Sequence, residues 1–278
     1  MSKHTAVIVS VSLCVVGLVA GGIGYSVMRS NEVADQMAVI NQQLTILTEL
    51  QQQKTSQTGD PQDLSAAVQE ALDKRAQEEF ARKRNGLLQK VPNAVDDQPM
   101  AGKHLYGNPK ARYTLVEFSD YRCPYCQRFH DTAQSLVDEA GGNMNWEFVH
   151  FPLPMHEPQA SQFAAGAECV SESLGNKAFW AYSHNVFEDA NADPAMIAET
   201  LGMKPEDFNR CISDPATMAK VQEDKDKGAR AGVTATPSSY IVDNKTREVV
   251  TVSGAQPRER VIEKLRTLME QSKSVEKS

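Results

Sequence analysis

Positive charge is in short supply: 29 lysines and arginines stand against 36 aspartates and glutamates, giving a net charge of −7 and a pI near 5.5. No broad basic surface follows from that balance, and nucleic acid is not an expected partner. Aromatic residues are sparse, at 6%, and the long polar N-terminal third contributes to that. Cysteine is confined to Cys14, Cys123, Cys126, Cys169 and Cys211. There is no second Cys-x-x-Cys and no His-x-x-x-His, so no four-ligand zinc pattern is completed and no metal or other cofactor is expected. What remains is a chain of 278 residues, long enough for one or two domains with a sizeable core.

Charge is missing altogether from Thr5 to Met28. At about 1.5 Å per residue such a run spans a bilayer. Lys3 and the amino terminus precede it, and Arg29 follows, diluted by Glu32 and Asp35. That bias places the N-terminus in the cytoplasm. A cleaved signal peptide is the competing reading, but the run is long for one and no small-x-small site ends it. A lipoprotein fits less well, because Leu13 rather than a small residue precedes Cys14. Residues 1–30 are therefore read as a transmembrane signal-anchor.

Residues 31–90 read as a helical, coiled-coil-like stalk. Val33, Met37, Ile40, Leu44 and Leu47 step by alternating four and three residues, the spacing of a coiled-coil seam. Gly59, Asp60 and Pro61 interrupt the pattern, with Asp60 suited to cap a second helix and Pro61 to begin it. That helix is expected from Pro61 to about Gln89, with Leu64, Val68, Ala71, Leu72, Ala76 and Phe80 on one face. Two such helices hold too little apolar surface for a core of their own and need a partner. We expect a homo-oligomer through residues 31–90; a solvated spacer is the alternative. Residues 91–102 read as an extended linker.

The chemistry centres on Cys123-Pro124-Tyr125-Cys126. The apolar run Tyr113–Ser119 before it reads as a buried strand, and Gln127–Ala140 after it as a helix stopped by Gly141-Gly142. Two thiols one helical turn apart can close a disulfide. The first lies at a helix N-terminus, where unpaired N–H groups and the helix dipole favour the thiolate that attacks disulfides. Half of a zinc site and a purely structural disulfide are the alternatives, and the strand–helix context favours redox chemistry.

Asn145–Phe151 alternates like a second strand and completes a βαβ unit. Five helical stretches follow in about 156–231, a helical insertion within an α/β domain. Cys169 and Cys211 fall in two of them. If paired they close a loop of roughly 40 residues, worth about 4 kcal/mol at most on chain entropy; two unpaired buried thiols are the other option. After the insertion come Thr236-Pro237, a strand through Asp243, its antiparallel partner Glu248–Ser253 and a last helix opened by Pro257. A proline entering a strand this way calls for a cis peptide or an edge position.

This order is that of a thioredoxin fold, and the chain resembles the DsbA-like periplasmic thiol–disulfide oxidoreductases. The resemblance rests on Gly107-Asn108-Pro109-Lys110-Ala111 followed by Val116 through Cys126, and covers residues 103–272. It implies an exposed nucleophile at Cys123, a buried resolving thiol at Cys126, a cis-proline substrate loop at Thr236-Pro237, a proton-transferring acid at Glu117 and a structural Cys169–Cys211 disulfide. Tyr125 in the redox dipeptide and Thr236 before the proline are closer to the shuffling members and to the oligomeric ScsC-type subgroup than to strong oxidases, which carry His in the dipeptide. The Cys123 thiolate is accordingly expected to be less stabilised than theirs. The implied function is disulfide oxidation or isomerisation in exported proteins. The implied setting is a single-pass inner-membrane protein with its catalytic domain in the periplasm, served by a membrane redox partner. A thioredoxin-fold assembly factor of an envelope complex and a Cu(I)-capturing protein are the alternative functions.

Overall fold

Strand β2 (Tyr113–Ser119) is buried along its length except at the half-buried Val116, because it lies at the centre of a sheet covered on both faces. The computed structural model describes Thr45 and residues 61–95, 102–189 and 191–276. The anchor expected over Thr5–Met28 and the coiled-coil seam expected from Val33 lie outside the described residues. Among the described residues, no helix is long and apolar enough to cross a membrane. The chain divides into two units, Met1–Ala76 and Gln77–Ser278. Helix α1 (Pro61–Gln89) has the expected bounds.

In the second unit the sheet also contains β1 (His104–Gly107), β3 (Met144–His150), β4 (Ser238–Asp243) and β5 (Val249–Ser253). The strand order is β1-β3-β2-β4-β5, with β2 and β3 parallel and every other pair antiparallel. The parallel pair is joined by α2 (Pro124–Glu139), the crossover expected of a βαβ unit. Alternation along the strands sorts their side chains. Leu115, Trp146 and Phe148 point into the main core, which α2 enters with Phe129, Ala133, Leu136 and Val137. Phe118 and Val149 point the other way, into a smaller cluster with Phe151 and Val233. Edge strand β1 has no counterpart in the sequence reading. Its four residues are too few to show a period, and pairing with β3 creates it.

Between β3 and β4 the chain forms α3 (Gln159–Leu174), α4 (Asn176–Glu188), α5 (Pro194–Leu201), α6 (Pro205–Ile212) and α7 (Pro215–Arg230). These match the expected insertion to within three residues. Helix α7 lies so close to the sheet that a Cβ at Gly228 would sit 2.5 Å from the Phe151 ring. Helix α8 (Arg258–Val275) ends the fold, with Pro257 at its N-cap as anticipated. Two residues of the expected linker, Val91 and Ala94, are buried in the main core. The end of α1 belongs to this second unit: Leu87 and Leu88 lie against its core, and Arg84 Nε donates to the Leu201 carbonyl at 2.8 Å.

Cys169 of α3 and Cys211 of α6 are joined in a disulfide with their Cα atoms 5.8 Å apart, across 42 residues of sequence. It fastens together two helices of the insertion. Replacing both cysteines with serine should cost about 2–4 kcal/mol of stability, read as a lower urea midpoint. An unchanged midpoint would show that the insertion holds without its crosslink.

Candidate active site

Cys123 is the N-cap of α2 and Pro124 its first helical residue. Proline suits that position because its missing N–H has no partner there in any helix. The thiols are both reduced and both enclosed: Cys126 is 0% exposed and Cys123 4%. The exposed nucleophile implied by the family resemblance is thus recessed. Cys123 lies at a cavity of about 90 Å³ shared with Tyr121, Arg122, Pro124, Gln127, Val186 and Phe187. Tyr125 stands out beside it, 55% exposed, with the Arg128 guanidinium over its ring at 4.7 Å.

The Thr236–Pro237 peptide is cis and leads directly into β4. Because β4 lies between β2 and β5, the edge-strand alternative does not apply. The Cys123 thiol donates to the Thr236 carbonyl at 3.4 Å. The Thr236 hydroxyl is buried without a hydrogen-bond partner among the described residues. The hydrogen bond from the Cys126 thiol lowers the Cys123 pKa most, against the cost of burial. The amides of Cys126 and Tyr125 add to it, and Cys123 is pushed down to about 5. Burial pushes Cys126 the opposite way, well above the ordinary thiol value, and its bond to Cys123 and the nearby Glu117 charge reinforce the shift. The two sulfurs are therefore electrically unequal.

Glu117 lies in β2, on the face that looks into the main core, and is 1% exposed. No ion pair accompanies it among the described residues. Burial is the chief cause that raises its carboxyl to about 8, and its Oε2 has no hydrogen-bond partner among the described residues. Carboxyl and thiols feel one another's charge: Cys123 raises Glu117, and Glu117 raises Cys126.

The structure adds Asp120 and His156, which the sequence reading missed. Asp120 follows β2 and is 1% exposed. Its Oδ1 accepts from the Arg122 amide at 2.7 Å. Its Oδ2 accepts from the Leu153 amide at 2.8 Å and pairs with His156 Nδ1 at 2.7 Å. Its backbone carbonyl takes the Cys123 amide at 3.1 Å, and its own amide donates to Cys126 Sγ at 3.4 Å. One residue thus ties both cysteines to the turn that opens the insertion. An Asp just before a turn was the available signal, since such side chains accept from an amide two residues on; the contact with Leu153 and His156 left no mark in the sequence.

Of the residues singled out in the sequence, Cys123, Cys126, Thr236, Pro237 and Glu117 come together here, with Pro124 and Tyr125 at the rim. Cys169 and Cys211 are set apart in the insertion. The side chains able to ligate a metal as a group of three, among the described residues, are His104, His150 and Glu168.

The family described as Thioredoxin matches residues 100–257, more than half of the chain. Disulfide bond formation protein D of Bacillus subtilis is 26% identical over 175 residues, covering 57% of this chain and 77% of that protein. The Na(+)/H(+) antiporter NhaA 1 of Mycolicibacterium gilvum is 25% identical over 150 residues, covering 52% of this chain but only 24% of the antiporter. The chain thus spans about a quarter of the length of that relative. Among solved structures, DsbA2 of Pseudomonas aeruginosa superposes with a TM-score of 0.54 at 26% identity, covering 62% of this chain and 97% of DsbA2.

Proposed function

The chain belongs to the thioredoxin family, in which it is DsbA-like, and from that premise we propose that it oxidises or shuffles disulfides in exported proteins through Cys123 and Cys126. One observation carries this reading: the two thiols titrate in opposite directions at one helix N-terminus, with Cys123 lowered to about 5 and facing the Thr236-Pro237 loop.

In the oxidising direction a substrate thiolate attacks Cys123 Sγ of the Cys123–Cys126 disulfide. The S–S bond breaks, Cys126 leaves with the electron pair, and a mixed disulfide joins substrate to Cys123. Glu117, raised to about 8, holds its proton near neutral pH and supplies it to the departing Cys126 sulfur. A second substrate thiolate then attacks the mixed disulfide and expels Cys123 as a thiolate, for which a low pKa makes a good leaving group. Two electrons pass from substrate to the cysteine pair. Shuffling runs from the reduced pair, with the Cys123 thiolate as attacker. The Thr236-Pro237 loop, beside the reacting sulfur, receives the substrate backbone.

A value of about 5 for Cys123 lies between ~7 and ~3.5, the range from a weak to a strong oxidant in this fold. Tyr125 and Thr236 favour shuffling over pure oxidation. In reduced protein, alkylation of Cys123 by iodoacetamide should rise with pH around a midpoint near 5 and then level off. The sign for stability follows: the folded value is depressed, so the thiolate's stabilisation of the reduced form is present in full above the ordinary thiol pKa and is lost as pH falls through about 5. A midpoint at 8 or above would remove the basis for assigning Cys123 as the attacking group.

We place the domain outside the cytoplasm, held at the inner membrane by Thr5–Met28 and reoxidised or reduced by a membrane partner. The closed Cys169–Cys211 bond suits that compartment. We assign oligomerisation to the part of the stalk that precedes Gln77, since the end of α1 from Gln77 onward belongs to the second unit. Refolding of scrambled ribonuclease tests both parts. We expect turnover by the full chain and a several-fold loss when residues 33–76 are deleted. Equal isomerase activity without the stalk would defeat the oligomer argument.

A further inference from the structure

We infer that His104, His150 and Glu168 form a binding site for one divalent first-row transition-metal ion of the zinc class, separate from the paired thiols. His104 comes from β1 and His150 from β3. The strands are antiparallel, His104 lies opposite Phe148, and His150 follows two residues later, so both imidazoles stand on the same face of the sheet. Glu168 reaches them from α3. Its Oε1 lies 2.6 Å from His104 Nε2 and 3.0 Å from His150 Nε2, and all three ligand atoms fall within 4.8 Å of one another. A tetrahedral ion with bonds of about 2.0–2.1 Å sets its ligands about 3.3 Å apart. Admitting it takes a retreat of Glu168 Oε1 by about 0.7 Å from His104 and about 0.3 Å from His150, and an adjustment of the two imidazoles within the 4.8 Å span.

The site is built rather than incidental. The three side chains are 6%, 1% and 12% exposed. The His104 ring stacks on Phe179 with centroids 3.6 Å apart, and His150 meets Phe148 edge-on at 5.3 Å. Packing therefore fixes both imidazoles before any ion arrives. One carboxylate oxygen and two ring nitrogens thus converge in a water-poor place.

The donor set decides the ion. Two imidazole nitrogens and one carboxylate suit zinc, cobalt or nickel. Calcium and magnesium take shells of oxygen. Three protein ligands leave a coordination position for water. On binding, each imidazole would offer its Nε2 lone pair with the ring proton on Nδ1; no electron is transferred. The ion would join edge strand β1, strand β3 and helix α3, three elements otherwise held by packing and hydrogen bonds. The sequence hid this because the ligands are far apart in the chain and form none of the short metal-binding spacings.

The ordinary alternative is a buried hydrogen-bonded triad that only docks α3. Zinc chloride and equilibrium dialysis of the full chain separate the two. The protein is first oxidised, so that both cysteine pairs are closed, and Cys14 is alkylated, which removes thiol competition. We expect one zinc retained per chain, and binding at least about tenfold weaker in Glu168→Gln and His150→Gln. Glu168→Gln keeps a carbonyl acceptor for the imidazoles and so preserves the triad without its charge. Should a variant not fold, anomalous diffraction at the zinc edge from wild-type crystals gives the same decision, with a peak expected about 2.0–2.2 Å from the three ligand atoms. No zinc on the oxidised, alkylated protein, undiminished binding by Glu168→Gln, or a peak elsewhere would each leave a hydrogen-bonded triad and overturn the site.

Discussion

Replacing Cys123 with serine should abolish disulfide exchange, with a fall in rate on the order of that seen when an enzyme loses its catalytic nucleophile, 10³-fold or more. Replacing Cys126 should give a different failure. The Cys123 thiolate would still attack a substrate disulfide, but no second thiol would resolve the mixed disulfide. Covalent complexes with substrate should therefore accumulate on non-reducing gels in Cys126→Ser and be absent in Cys123→Ser. The asymmetry rests on the unequal sulfurs: Cys123 is lowered to about 5 while Cys126 is raised well above the ordinary thiol value. A thiolate reacts and a buried thiol does not. Adducts formed equally by both variants would mean that either sulfur attacks, and the proposed order of steps would fail. A Cys123→Ser, Cys126→Ser chain that retains full biological activity would point instead to a binding or assembly role.

What the sequence revealed here depended on how local each feature is. Cys123-Pro124-Tyr125-Cys126 was legible because strand, turn and helix follow one another directly, and each carries its own period or breaker. The insertion was legible for the same reason: Pro194, Pro205 and Pro215 each open a helix. The partnership of Cys169 and Cys211, left open by the residues themselves and implied by the family resemblance, is met by the observed bond. Strand β1 was not legible, since four residues have no period and their strand state comes from pairing with β3. Nor was the burial of Val91 and Ala94, which a Pro- and Asp-containing stretch gives no reason to expect. Glu117 shows the limit well. Its place in the strand fixed the face it would occupy, but only the packing above it shows that the face is dry enough to raise its carboxyl to about 8.

Asp120 lies between these extremes, and its replacement should have the largest effect on stability of any single change near the site. Asp120→Ala removes a carboxylate that is 1% exposed and accepts from two amides and an imidazole. Losing this acceptor should cost more than the about 1–3 kcal/mol typical of one buried group left unsatisfied, because several partner groups lose it at once. Here those groups are the Arg122 and Leu153 amides and His156 Nδ1. Asp120→Asn should cost less, about 1–3 kcal/mol: one amide oxygen remains for the Leu153 and His156 side, while its NH₂ group meets the Arg122 amide, a donor facing a donor. The backbone bonds of residue 120 to Cys123 and Cys126 survive both changes, so the thiols keep their neighbours while the turn carrying Leu153 and His156 comes loose. Denaturant unfolding should rank wild type above Asn above Ala. Amide hydrogen exchange should report faster opening at Leu153 and Arg122 than in helix α8, which the carboxylate does not touch. Equal stability in all three proteins would show that water replaces the carboxylate without loss. A uniform rise in exchange would show that Asp120 supports the fold as a whole and not the joint between the cysteines and the insertion.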